Sequence, residues 1–482
     1  MPNDENPITA TEGMKFQSPF DDPENLKPVE QTQNEQFSSS MFEKYFKDYY
    51  SGSYLDGKRI VRFEPMRSSA SRERFRLDDF ITKLDNTVLF EGLESYTGDD
   101  KELNAQPTGI LFKGVIKDLL EDYSINVGLR IPTTFTGYEY FITLDDNKRL
   151  WDKRIAFYSE TENSVAENVG PPEQREKRRT FLGLYRLKYP FDVYQSIRFT
   201  GSLRFDKFFL QATEQTSFES DFTFEKRLSL KTEYVFDNSY EVSLNILNGS
   251  RAKAYVEVIN EFDLDLVDGL NIDPHTALTT VIGMDARHYI PIFKRAVLAL
   301  RATAATSFGS QRVVYYLGGV EGWIGASAEE NIPVPSDANT SFKVQAPHLR
   351  GFRSNIRNGN SYALTNSELR VPVAHFLGLE RSRLGFVRNL QLTSFFDAGV
   401  AWFGANPNSE DNTLNTINVN NPEENPSIII EARFFRDPLV YGYGFGMRST
   451  ILGYFFKIDY GWGVETGHQR EPRLYFSLGL DF

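Results

Sequence analysis

Strict alternation of apolar and polar side chains, repeated in run after run, is the feature that most restricts this chain. In RLYFSLGLDF, Leu474, Phe476, Leu478, Leu480 and Phe482 fall on one face, and Arg473, Tyr475, Ser477, Gly479 and Asp481 on the other. YFFKIDYGWGVE repeats the pattern, with Tyr454, Phe456, Ile458, Tyr460, Trp462 and Val464 against Lys457, Asp459, Gly461, Gly463 and Glu465. A period of two belongs to an extended strand with two different faces. About sixteen such runs follow one another, the first near residues 81–93 and the last at 472–482. None of the chain after residue 55 carries a convincing helical period, so the expected class is all-β.

A soluble sandwich also alternates, and two features decide against it. Tyr and Trp sit at the ends of the apolar faces, like an interfacial girdle, while glycines and charges lie deep within long strands on the other face. The connections show a parity as well. LEDY, DNKR, YPFD, PIFKR and TILG are tight, whereas 94–106, 162–175, 209–220, 309–359 and 404–437 are long. Short turns on one rim and long loops on the other mark an outer-membrane barrel. The reading is therefore a 16-stranded antiparallel transmembrane β-barrel over residues 81–482, with a polar linker or periplasmic entry segment over 1–80. A bulk composition of 40% hydrophobic residues agrees, because lipid-facing and lumen-facing residues average out. No run approaches the ~18 apolar residues of a membrane helix.

Several function classes drop out. A net charge of −13 argues against general nucleic-acid binding. There is no cysteine, and the five histidines (His275, His288, His348, His375 and His468) show no ligand spacing. No nucleophile elbow, phosphate loop or catalytic pair of acids is present. No catalytic residue, metal or cofactor is expected, and the chain is not expected to be an enzyme. MPNDENPITATEG has neither the basic stretch nor the apolar core of an export signal, which suggests a mature form or a fragment.

The longest connection holds Leu349-Arg350-Gly351-Phe352, and downstream come NSELRVPV (Asn366 to Val373) and SFFDAGVAWF (Ser394 to Phe403). Alternation turns Ala363, Leu369 and Val371 of the first of these runs to lipid, and Glu368 and Arg370 inward. In the second, Leu390, Leu392, Phe396, Val400 and Trp402 face lipid and Asp397 turns inward.

This combination, an Arg-Gly-Phe loop, a Glu-x-Arg-x-Pro strand, a Phe-x-Asp-x-Gly strand and a final Phe, resembles the BamA/TamA-like superfamily of outer-membrane assembly and transport barrels, the bacterial surface antigens. It covers about residues 80–482. The resemblance implies a sixth extracellular loop folded into the lumen. Arg350 would be its tip donor, Glu368 and Asp397 the acceptors, with Gly351 allowing close approach and Phe352 packing beside the ion pair. It further implies a protein of the bacterial outer membrane that assists assembly, insertion or translocation of other proteins. Its partners would be outer-membrane lipid, unfolded or exported protein substrates, and a periplasmic module or accessory lipoproteins. Residues 1–80 are too short and polar for several periplasmic domains, so this chain reads as the membrane half of a longer protein. A passive porin or solute channel and a surface antigen or adhesin scaffold are the alternatives.

The proposed mechanism of such a barrel is lateral opening of the seam between first and last strands. The first run, KLDNTVLFEGL, suits a weak seam. Val88 and Phe90 fit a lipid face, but Leu84 and Asn86 dilute it, and Leu89 and Leu93 fall on the other side. The last run supplies the opposite edge through Leu474, Phe476, Leu478, Leu480 and Phe482.

Overall fold

A computed structural model of the chain describes residues 53–55, 58–60, 75–85, 109–133, 135, 137–165, 175–210, 223–265, 271–293, 295–325, 332, 340–408, 412, 416–419, 430–433, 436–451 and 453–482. The chain divides into two compact units, residues 1–72 and 73–482. In the first, Ser53–Leu55 and Lys58–Ile60 pair as an antiparallel hairpin.

Among the described residues, sixteen strands form the wall of the second unit: β1 (Phe75–Asp85), β2 (Gly109–Asp118), β3 (Tyr123–Pro132), β4 (Gly137–Asp146), β5 (Asp152–Val165), β6 (Arg175–Pro190), β7 (Gln195–Leu210), β8 (Thr223–Asp237), β9 (Ile246–Asp265), β10 (Asn271–Phe293), β11 (Ala296–Gly309), β12 (Ser361–Pro372), β13 (Gln391–Trp402), β14 (Val440–Ile451), β15 (Tyr454–Glu465) and β16 (Arg473–Leu478). Each pairs antiparallel with the next, and the order returns from β16 to β1 to close a barrel. Two short strands, Tyr240–Ser243 and His468–Gln469, extend hairpins. The longer connection between β12 and β13 is filled by single helical turns at Val373–Phe376 and Gly385–Arg388.

The two faces of the wall identify its solvent. On β4, Tyr140, Ile142 and Leu144 are exposed outward, while Glu139, Thr143 and Asp145 are buried inward. On β7, Phe199 and Leu203 point out, and Thr200, Ser202, Arg204 and Asp206 point in. A belt of exposed large apolar side chains runs from strand to strand, far larger than the apolar patches water tolerates. The inner charges are paired, as in Arg130 with Glu139 on neighbouring strands and Arg204 with Asp206 at 2.6 Å. Apolar outside and polar within is the arrangement of a transmembrane barrel. Among the described residues no helix is long and apolar enough to cross a membrane.

Both ends of the barrel depart from the sequence reading. β1 begins at Phe75, ahead of the expected boundary at residue 81, and residues 86–93, with Asn86, Val88, Leu89, Phe90 and Leu93, lie outside the described residues. Its register shifts between Leu77 and Asp79. That bulge moves the outward apolar positions from Phe75 and Leu77 to Phe80 and Leu84, which hides the strand from a search for strict alternation.

At the other end, β16 stops at Leu478 rather than at residue 482. Leu474, Phe476 and Leu480 are exposed and Leu478 is half-buried, but Phe482 does not face lipid: it is 5% exposed and packs against Ile246, Tyr289, Val297 and Ala299. Gly479, at φ +99°, turns the chain inward. Charge and hydrogen bonding hold it there. Asp481 pairs with Arg448 at 2.8 Å and Lys457 at 3.6 Å, and Arg370 donates to the Phe482 carbonyl at 3.0 Å with its guanidinium 5.0 Å from the ring centre.

Candidate functional site

In the connection between β11 and β12, the described residues 310–325, 332 and 340–360 fold as a small plug. Arg312–Leu317 runs parallel to Thr340–Gln345 and antiparallel to Arg357–Gly359. Val313, Tyr315, Leu317, Phe342, Leu349 and Ile356 of this segment are buried in one cluster with Ile259, Val281, Ala305, Leu364 and Val440 of the wall. The plug therefore packs inside the barrel against β9 to β14, and its tip is carried to the wall of β12 to β16.

The register of the wall prepares the acceptors. β12 and β13 pair with Asn366 opposite Asp397 and Glu368 opposite Phe395. Glu368 and Asp397 thus lie diagonally adjacent on the lumen face. Arg350 reaches both. Its Nε and Nη2 donate to the two oxygens of Asp397 at 2.7 and 2.9 Å, its Nη1 donates to Glu368, and its backbone N–H donates to Asp397 at 3.1 Å. Such charge-assisted, bidentate bonds are the strong and directional ones. Its guanidinium lies 3.7 Å from the ring centre of Phe395. Phe352, fully buried, packs elsewhere, toward Gly463 of β15, so the aromatic partner of the guanidinium is Phe395.

Arg350 is one member of a larger network. Glu368 also accepts from Arg370 at 2.8 Å and Arg448 at 3.3 Å, and Arg448 continues to Asp459 and Asp481, each at 2.8 Å. With Lys457, four cationic side chains (Arg350, Arg370, Arg448 and Lys457) face four side-chain carboxylates (Glu368, Asp397, Asp459 and Asp481), so these eight side-chain charges balance. Asn366 ties it to the loop by donating to Asp397 and to the His348 carbonyl, both at 2.9 Å. In the loop, burial and the nearby Arg350 charge lower the pKa of His348 to about 4, which leaves its ring neutral against that of Phe482.

Tyr475 of β16 closes the tip from the other side. Its hydroxyl accepts from the Gly351 N–H and donates to the Phe352 carbonyl, both at 2.8 Å. Gly351 holds φ +97°, and a Cβ there would lie 2.7 Å from the backbone of Trp462 and Gly463. The wall is shaped to match, because a Cβ on Gly442 of β14 would lie 1.8 Å from the Arg350 carbonyl oxygen. The glycines that alternate with aromatic residues in YGYGFGMR and YGWGV make the trough that seats the loop.

Sequence reasoning singled out Arg350, Gly351, Phe352, Glu368 and Asp397, and the structure brings all five to this trough. It missed Asn366, Phe395, Arg448, Asp459 and Tyr475. All five sit at inward positions of alternating strands, which was the available signal. Gly442→Ala tests the trough. Overpacking of this kind costs ~1–3 kcal/mol, and the tip is expected to lift, seen as faster proteolysis within residues 310–360 of a barrel that still runs as a folded form on an unheated gel.

No protein-family model matches the chain, and no curated protein matches it. Among solved structures, it is similar to BamA from Haemophilus ducreyi lacking POTRA domains 1–3, at 12% identity and a TM-score of 0.46, over 85% of this chain and 71% of that one. CdiB from Acinetobacter baumannii and CdiB from Escherichia coli are each 11% identical to it, with a TM-score of 0.44 over 83% of this chain. The chain spans 59% and 61% of the lengths of those two CdiB chains.

Proposed function

We propose that this chain is a bacterial outer-membrane barrel that assists insertion, assembly or translocation of other proteins by opening the seam between β1 and β16. The work is physical rather than enzymatic: the opened edges offer main-chain donors and acceptors to an incoming strand. The observation that carries this reading is the state of β1. Every residue from Phe75 to Leu84 is exposed, on the lumen side as well as outside, with Asp78 held at its edge by Lys117 of β2 at 2.9 Å. Its contact with β16 is sparse beside that of every other pair of consecutive wall strands. A strand that packs on neither face holds its neighbour chiefly through backbone pairing, and here little of that is made. A passive solute channel has no use for such a seam, nor for a loop packed into its lumen and latched by a buried charge cluster. On this reading the partners are outer-membrane lipid and unfolded or exported polypeptides, delivered by a periplasmic module or accessory lipoproteins.

The test uses the absence of cysteine from the chain. Leu84→Cys in β1 and Leu474→Cys in β16, joined by a short bis-maleimide, would fix the seam. Assembly of an unfolded outer-membrane barrel polypeptide into liposomes carrying the linked protein is expected to stop and to recover with a cleavable linker. Undiminished assembly by a verified cross-linked barrel would overturn the seam reading.

A further inference from the structure

β16 is hydrogen-bonded along one edge to β15, with Tyr475 opposite Asp459 and the Gly479 N–H bound to the Phe455 carbonyl at 3.0 Å. By the alternation of an antiparallel ladder, the N–H and C=O groups of Leu474, Phe476 and Leu478 point to the other edge, the one that β1 must cover. That edge is already taken at its C-terminal end, by the barrel's own loop. Ile324 N–H donates to the Phe476 carbonyl at 2.8 Å, and Leu478 N–H donates to the Gly322 carbonyl at 3.3 Å. Trp323 and Ser477 face each other as an antiparallel bridge.

Three further features mark this as a built contact. Gly322 and Gly325 bracket it with φ of +70° and +78°, so the chain enters and leaves the short extended piece through positions that favour glycine. The Trp323 ring packs edge-on against Tyr475 at 5.0 Å, the same Tyr475 that holds the Gly351 and Phe352 backbone. Upstream, Gly319 bridges Leu349 and donates to the Phe352 carbonyl at 3.2 Å. The edge contact and the Arg350 latch thus share one tyrosine and one stretch of loop.

We propose that Gly322–Ile324 is a resident placeholder strand. It satisfies the free edge of β16 in the resting barrel and must leave before an incoming polypeptide strand can pair there. Because Tyr475 joins it to the Arg350 latch, release of one loosens the other. The proposal deepens the seam reading and rests on it for its purpose, but the contact and its displacement are measured without any assembly assay.

Trp323 and Ser477 form a non-hydrogen-bonded pair, where opposed Cα atoms lie ~4.5 Å apart, within disulfide reach. In purified Trp323→Cys/Ser477→Cys barrel, mild oxidation is expected to form the disulfide readily. A synthetic peptide copying β1, Phe75–Asp85, competes for the same edge and is expected to slow that reaction at least ~10-fold at saturation. Ile324→Pro removes the donor to Phe476 and destabilises the short ladder. In an otherwise unaltered chain it should leave the folded gel form intact and let the labelled peptide bind roughly tenfold more tightly, the effect of two lost competing backbone hydrogen bonds. Any one of three results overturns the proposal: no disulfide in a barrel shown to be folded, a rate indifferent to saturating peptide, or unchanged peptide affinity in Ile324→Pro. A β1–β16 cross-link that left assembly intact would sink the seam reading and leave these three results untouched.

Discussion

Arg350→Ala is expected to free the loop between β11 and β12 from the lumen wall while the barrel stays folded. The guanidinium donates to both oxygens of Asp397 at 2.7 and 2.9 Å and to Glu368, with all three side chains at most 2% exposed. Removing one partner of a buried pair costs ~3–5 kcal/mol, because the carboxylates stay buried without their cation. At ~1.4 kcal/mol per tenfold, that shifts the docked loop toward release by roughly a hundred- to a few-thousandfold. The strand ladders are untouched, so the wall survives. Arg350→Lys should rescue little. An ammonium cannot take both Asp397 oxygens in a fork, nor lie flat on Phe395, where the guanidinium sits 3.7 Å from the ring centre. Limited proteolysis within residues 310–360 reads the release, and gel mobility before and after heating reads the wall. Cleavage at the wild-type rate, in a folded Arg350→Ala barrel, would show that the tip is not a latch.

How far such a site can be read from sequence depends on the kind of order involved. The strand wall is local: a period of two decides which residues face hydrocarbon, and Glu368 and Asp397 fall on the lumen side without reference to any distant residue. Where a local rule is broken by a distant interaction, the pattern misleads. The apolar alternation of RLYFSLGLDF runs on through Phe482, yet Arg448, Lys457 and Arg370 draw Asp481 and Phe482 into the lumen. The bulge in β1 hides that strand in the opposite way, by shifting its apolar positions from one parity to the other between Leu77 and Asp79. Tyr475 reads as a lumen residue, but its partner Gly351 is 124 residues away, and nothing local announces that bond. Trp323 lies in a stretch with no period at all, and its contact with Ser477 exists only because the loop returns through the lumen.

Glu368→Gln should weaken the wall together with the latch. Glu368 accepts from Arg370 at 2.8 Å, from Arg448 at 3.3 Å and from Arg350, and it is fully buried. Glutamine keeps the shape but not the charge, and its amide adds a donor among guanidinium donors that have no use for one. Four cations would then face three carboxylates (Asp397, Asp459 and Asp481) in a region closed to water. The expected cost is again ~3–5 kcal/mol or more, but it falls on the wall as well as on the loop, because Arg370 and Arg448 belong to β12 and β14. The temperature at which the folded gel form is lost should therefore drop, which Arg350→Ala leaves nearly unchanged. The double replacement Glu368→Gln/Arg350→Gln restores equal numbers of opposite charges. If charge balance governs the cluster, the double variant should be less damaged than the sum of its two singles by ~0.5–3 kcal/mol. Strict additivity, in heat stability and in loop proteolysis alike, would mean that the network acts through shape and hydrogen-bond count instead, and the balance of its eight side-chain charges would lose its explanatory force.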